Sequence, residues 1–225
     1  MSLLYDMGTI ISTMTVGEVD FQAVNAFRSQ AAWFVFGPIT AIGAILVYYM
    51  YKMSPWLDRH LERSIVVYTY IVIAGIIFVG VLQRFLPFLP MQPAWSTTLP
   101  PMLFMVMAWF GCSFNVRLRT HLGFSEFRTK FSPKWQLAML WLDAVLWFGF
   151  CVIVVTTTAR VTANAVSNFM IVPGTNGLMQ WWFIITVPIA FILMAGRVLE
   201  NIIEDMGKYA RGEPLVEQSV IGGDV

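Results

Sequence analysis

Charge is what this sequence has least of. Asp, Glu, Lys and Arg make up 12% of its 225 residues, against about 25% in an ordinary soluble domain. The deficit is concentrated. No charged residue occurs from Ser29 to Tyr51, Ser64 to Gln83, Phe85 to Val116 or Val161 to Gly196, and Trp135 to Ala159 contains only Asp143. A helix needs about 20 mostly apolar residues to cross the hydrocarbon core of a bilayer. Five such stretches exclude a soluble globular protein and leave little chain for a water-soluble domain.

The chemistry-bearing residues are equally sparse. There are two histidines, His60 and His121, both between the apolar stretches and beside arginines. A haem held between membrane helices needs axial ligands at facing depths, and a zinc site needs three or four ligands; neither set is available. Cys112 and Cys151 have no CxxC spacing and read as small buried apolar residues. No HExxH, GxSxG, phosphate loop or GxGxxG stands in a suitable setting. Nothing calls for a cofactor, a metal, a catalytic residue or nucleic acid. The N-terminus lacks the basic lead and short apolar core of a cleaved secretory signal, so the first apolar run is expected to remain as a span.

What is present is long apolar helix. The expected fold is all-α and polytopic, with spans at about 31–53, 64–84, 99–117, 136–158 and 178–199. Eleven of the fourteen basic residues lie beyond alternate span ends: Lys52, Arg59 and Arg63; Arg117, Arg119, Arg128, Lys130 and Lys134; Arg197, Lys208 and Arg211. Only Arg28, Arg84 and Arg160 lie on the other side. The positive-inside rule then places the N-terminus outside and the C-terminus in the cytoplasm. Trp33, Trp56, Trp95, Trp135, Trp181 and Trp182 flank the spans, at the depth amphipathic rings prefer. Pro38 and Pro188 fall within spans and predict local kinks. Gly37, Gly43, Gly75 and Gly80 suggest close helix packing.

Between spans three and four, Phe124, Phe127, Phe131 and Trp135 recur at steps of three and four against Glu126, Arg128 and Lys130. That stripe predicts a short amphipathic helix in the interface near 122–132, followed by Ser132 and Pro133 as N-cap and first residue of the next span. Glu18 to Gln30 predicts a short helix before the first span. Asp143 is the one acid inside a span. A carboxylate at that depth needs a partner, and Arg117 or Arg119 are the internal candidates, with a basic residue on another subunit next.

Spans so poor in polar groups, with no inverted repeat, do not describe an autonomous transporter. They describe a subunit that packs against something larger.

From about Leu57 onward the residues resemble a known family. A Leu/Asp/Glu/Arg-rich lead (Leu57 to Arg63) opens a helix that ends in Gln83-Arg84-Phe85. Trp95 precedes the next helix, which carries Gly111, Arg117 and His121. The last helix reads Trp182, Pro188, Arg197. In this order the chain resembles the small membrane subunit, DctQ-like, of tripartite ATP-independent periplasmic (TRAP) transporters. It departs from the family pattern in having Ser96, Thr97 and Thr98 where acids often follow the tryptophan, and in carrying an additional span.

The resemblance implies a periplasmic tail at 1–30, an additional span at 31–56, a four-helix family core at 57–205 and a cytoplasmic tail at 206–225. It implies a non-catalytic scaffold in the bacterial inner membrane, contacting membrane lipids, a large elevator-type membrane subunit and a periplasmic substrate-binding protein. The transporter it implies is a sodium-driven importer of an organic acid anion, a carboxylate or sulfonate. Arg84, Trp95, Gly111, Arg117, His121, Asp143 and Arg197 become the expected structural or partner-contact residues. The small subunit of a tricarboxylate-type tripartite system and the membrane anchor of a redox enzyme are the alternatives.

Overall fold

The computed structural model describes residues 2–86, 92–119 and 131–215. Within them the chain forms α1 (Ser2–Val16), α2 (Phe21–Arg28), α3 (Ala31–Met53), α4 (Pro55–Phe85), α5 (Trp95–Leu118), α6 (Pro133–Ser167), α7 (Trp181–Ile184) and α8 (Thr186–Arg211). An isolated bridge between Ile171 and Met179 closes the turn between α6 and α7. The five expected spans are there. α3 has the expected bounds, while the others run further than the apolar stretches: α4 has 31 residues and α6 has 35, about 46 and 52 Å at 1.5 Å per residue. Hydrophobicity marks how much of a helix suits hydrocarbon, whereas caps and prolines decide where its hydrogen bonding stops.

The local signals act as their chemistry requires. Asp20 caps α2, its carboxylate accepting from the Ala23 N–H at 2.7 Å, so a short helix precedes the first span. Pro55 and Pro133 occupy the first turns of α4 and α6, where a missing N–H costs nothing. Ser132 stands at the N-cap of α6 in extended backbone but makes no side-chain cap bond. Pro188 cannot donate to the carbonyl of Ile184, and the last span breaks there into α7 and α8 around Ile185. α3 runs on as helix past Pro38. The expected amphipathic helix near 122–132 lies almost wholly outside the described residues.

α1 was not anticipated within the N-terminal tail. Its many hydroxyls resemble loop chemistry, but in the helix they bond back to the preceding turn: Thr9 Oγ1 to the Tyr5 carbonyl at 3.0 Å and Thr13 Oγ1 to that of Thr9 at 2.8 Å. Ile10 is fully buried and joins the cluster that contains Phe27 and Phe36.

α8 is the centre of the bundle, packed on α3, α5 and α6. α4 leans on α5 and, near its start, on α3, and leaves most of its apolar surface open. The α3–α8 crossing is the tightest: a Cβ on Gly196 would overlap the Val47 side chain and lie 3.3 Å from the Ala44 carbonyl, and one on Gly43 would lie 2.7 Å from Ile192 Cγ2. Small residues let two backbones approach this closely. Of the four glycines singled out for packing, Gly43 and Gly80 meet a neighbour, but Gly37 and Gly75 face open space. Cys151 is buried, while Cys112 is exposed, so the expectation of two buried thiols holds for Cys151 alone.

Candidate functional site

Where α3 and α5 end and α4 begins, ionisable side chains close in on Arg197, which projects from α8. Asp58 and Glu62 are four residues apart in the first turns of α4, so both carboxylates share one helix face. That face meets α8. Arg197 is 0% exposed and Glu62 1%. Arg197 Nε and Nη2 each reach a Glu62 oxygen at 3.2 Å, a two-point guanidinium–carboxylate pair. Arg197 Nη1 donates to Asp58 at 2.5 Å and to Glu200 at 2.8 Å, and Nη2 donates to the Asp58 carbonyl at 3.1 Å.

The other neighbours complete the shell. Tyr51, from the end of α3, donates its hydroxyl to Glu62 at 3.2 Å and lays its ring under the guanidinium, 3.6 Å from Cζ to ring centre. Ser113 of α5 donates to the same Glu62 oxygen at 2.7 Å. Arg117, one turn further along α5, donates to the second Asp58 oxygen at 2.5 Å and to the Asp58 carbonyl. Four helices thus contribute to one interior cluster, in which two guanidiniums meet three carboxylates.

A second tie sits beyond it. Arg119 adopts a left-handed conformation (φ 55) that ends α5. Its guanidinium bonds Asp205 at 2.6 Å, the Asn201 carbonyl at 3.2 Å and Glu204 at 3.4 Å. Asn201 Nδ2 returns a bond to the Val116 carbonyl at 2.9 Å, satisfying one of the acceptors a helix end leaves open. Past α8, Arg211 donates two bonds to Glu213 at 2.6 and 3.0 Å, and this holds the Glu213 carboxyl below the usual carboxylate range.

The arrangement is suited to holding helices in register. Every oxygen of Glu62 and every nitrogen of Arg197 is engaged inside the chain. No group of three or more His, Cys, Asp or Glu side chains placed to hold a metal occurs among the described residues.

The residues expected from sequence divide into two sets. Arg117 and Arg197 meet at Asp58. The rest do not join them. Arg84 Nε reaches Gln92 at 3.4 Å, and Gln92 bonds Ser96 at 2.8 Å, at the opposite end of the bundle. Trp95 opens α5 at that end and is partly exposed. Gly111 faces α4, where an added Cβ would lie 4.0 Å from Val66 Cγ2. His121 lies outside the described residues. Asp143 lines a groove of about 320 Å³ with Leu146, Trp147 and Phe150 on α6. The two arginines expected to serve Asp143 are engaged with other acids, Arg117 with Asp58 and Arg119 with Asp205 and Glu204.

Asp58, Glu62, Tyr51 and Ser113 were not foreseen. The stretch from Leu57 to Arg63 reads as a connection, yet its Asp58/Glu62 spacing continues the helical register of the apolar run that follows. Extending that register backwards would have placed both acids on one face.

A family model described as "Tripartite ATP-independent periplasmic transporters, DctQ component" matches residues 73–208, more than half of the chain. The match starts within α4 and ends near the close of α8, so α1, α2 and α3 precede it. No curated protein and no solved structure matches the chain.

Proposed function

The chain belongs to the DctQ component family of TRAP transporters, and from that premise we propose that it acts as a non-catalytic scaffold within the assembled transporter. As a DctQ component it is a small multi-pass subunit of the inner membrane, partnered by the large membrane subunit and a periplasmic binding protein. The large subunit carries the sodium and substrate sites and moves during transport. This chain braces its static part and helps dock the binding protein, and the cargo is an organic acid anion, a carboxylate or sulfonate.

The observation that carries this reading is the Arg197 cluster. A subunit that resists tilting beside a moving neighbour needs its helices locked to one another, and α3, α4, α5 and α8 are joined through one buried charge network. The outward faces of α4 and α6, with Tyr68, Tyr70, Ile71, Phe78, Leu142, Val145 and Leu146 exposed, offer apolar surface for the large subunit and for lipid. Within this reading Arg117, Arg197 and Gly111 are internal, whereas Arg84, Trp95, His121 and Asp143 are partner contacts. Residues 57–205 form the family core, 31–56 an added span, and 1–30 and 206–225 the tails.

Affinity capture from native membranes followed by mass spectrometry tests it. A large TRAP membrane subunit should remain bound in fixed ratio. Recovery of the chain alone, or with a redox enzyme instead, would reject the assignment.

A further inference from the structure

At the end of the bundle opposite the Arg197 cluster, two arginines, Arg28 and Arg160, pair with no acid among the described residues. Arg160 lies near the end of α6, one turn before Asn164. Its Nε is closed off from solvent and makes no hydrogen bond, and Arg160 forms no ion pair among the described residues. A buried N–H without an acceptor is rare enough to require an explanation. Its two terminal nitrogens are not closed off in this way and Arg160 as a whole is half-buried, so the end of the guanidinium stays accessible. Arg28, the last residue of α2, packs from the other side and reaches only the Asn164 Oδ1, at 3.5 Å. Asn168 Nδ2 donates to that same oxygen at 3.1 Å.

Arg160 and Asn164 on α6 and Asn168, its C-cap, follow one another at steps of four, and Arg28 closes the row. The carbonyl of the Asn164 amide is already taken by Arg28 and Asn168, so what the group offers outward is donors: two guanidiniums and the Asn164 amide nitrogen. Guanidiniums donate in a planar fork and accept nothing, which suits a phosphate oxygen pair. Below Arg160 the same face of α6 exposes the apolar side chains of Ile153, Phe150 and Leu146. Donors of net positive charge above an exposed apolar helix face match an anionic headgroup with its acyl chains running down the helix.

We propose that Arg28, Arg160 and Asn164 form a binding site for the phosphate of an anionic phospholipid, phosphatidylglycerol being the probe of choice. The site holds the α2–α6 contact at the headgroup layer and anchors the N-terminal helices on the bundle.

The test uses the full chain purified in mild detergent with whatever membrane partner it retains. Bound lipid is counted by native mass spectrometry after addition of phosphatidylglycerol, phosphatidylethanolamine, glycerol phosphate or inorganic phosphate. The unaltered protein should retain phosphatidylglycerol over phosphatidylethanolamine. The R28Q/R160Q protein should retain at least tenfold less of it, and R160K should fall between the two because an ammonium cannot form the fork. Should R160Q fail to fold, R28Q alone, on the rim of the site, should still lower retention severalfold. Equal retention in R28Q/R160Q, or in R28Q where the double variant cannot be obtained, overturns the proposal. Displacement of the lipid by inorganic phosphate at equal concentration overturns it in favour of a free-anion site. Loss of the large subunit from R160Q with lipid content unchanged overturns it in favour of a protein contact.

Discussion

Arg197 shows what one buried charge demands of its neighbours. Removing one partner of a buried ion pair leaves the other uncompensated, at about 3–5 kcal/mol, while replacing both with apolar groups of similar size is often neutral. Arg197→Gln should therefore destabilise the subunit by about that amount, and Glu62→Gln by somewhat less, because Tyr51 and Ser113 can still bond a neutral amide. Replacing Arg197 with Met and Glu62 with Leu together should restore most of the loss, although Asp58 and Glu200 then face fewer cations. Denaturant titration in detergent measures all three, and strictly additive losses would contradict the pairing. Gly196→Ala tests packing separately. Its added Cβ meets Val47 and the Ala44 carbonyl, so a loss of about 1–3 kcal/mol is expected, partly relieved by Val47→Ala.

At the scale of the element, α3 matters most, since it precedes the family match yet packs into the centre. It supplies Tyr51 to the charge cluster and the Gly43–Ala44–Val47 surface on which α8 rests. Deleting residues 1–53 uncovers Gly196 and one side of Arg197. The truncated chain should lose cooperative unfolding and fail to co-purify with the large subunit at wild-type yield, read by size-exclusion chromatography of the complex. Full complex stability and uptake without α3 would mean that α4, α5, α6 and α8 suffice. A smaller test concerns the end of α5. Asn201→Ala leaves the Val116 carbonyl only the Arg119 N–H at 3.2 Å, and a loss of about 1 kcal/mol should follow, with faster amide exchange over the last turn of α5.

As a whole molecule, the subunit buries its Arg197 cluster and presents mostly apolar helix outward. In proteoliposomes it should support no substrate flux by itself, and adding it to the large subunit and binding protein should raise uptake. Robust flux from this chain alone would contradict a scaffold. Where it stands alone, the wide outer faces of α4 and α6 should also bind more detergent than a soluble protein of this mass, measurable by light scattering with refractive index.

Much of this architecture was legible before any coordinates. Uncharged runs of twenty residues or more specify membrane helices because hydrocarbon admits no unsatisfied backbone polar group, and proline and capping residues specify breaks and starts because their effect is local. Family membership could be read from the order of Arg84, Trp95, Arg117, Pro188 and Arg197 for the same reason: it lies along the chain. The cluster could not be read that way. Asp58, Glu62, Arg117 and Arg197 are scattered over about 140 residues, and only the crossing of four helices makes neighbours of them. Nor does composition distinguish Gly196, where an added Cβ would strike α3, from Gly75, where it would meet open space. Local energetics decided which segments are helical and suited to lipid. Side-chain meeting, which depends on helix rotation and crossing, was decided by the tertiary structure alone.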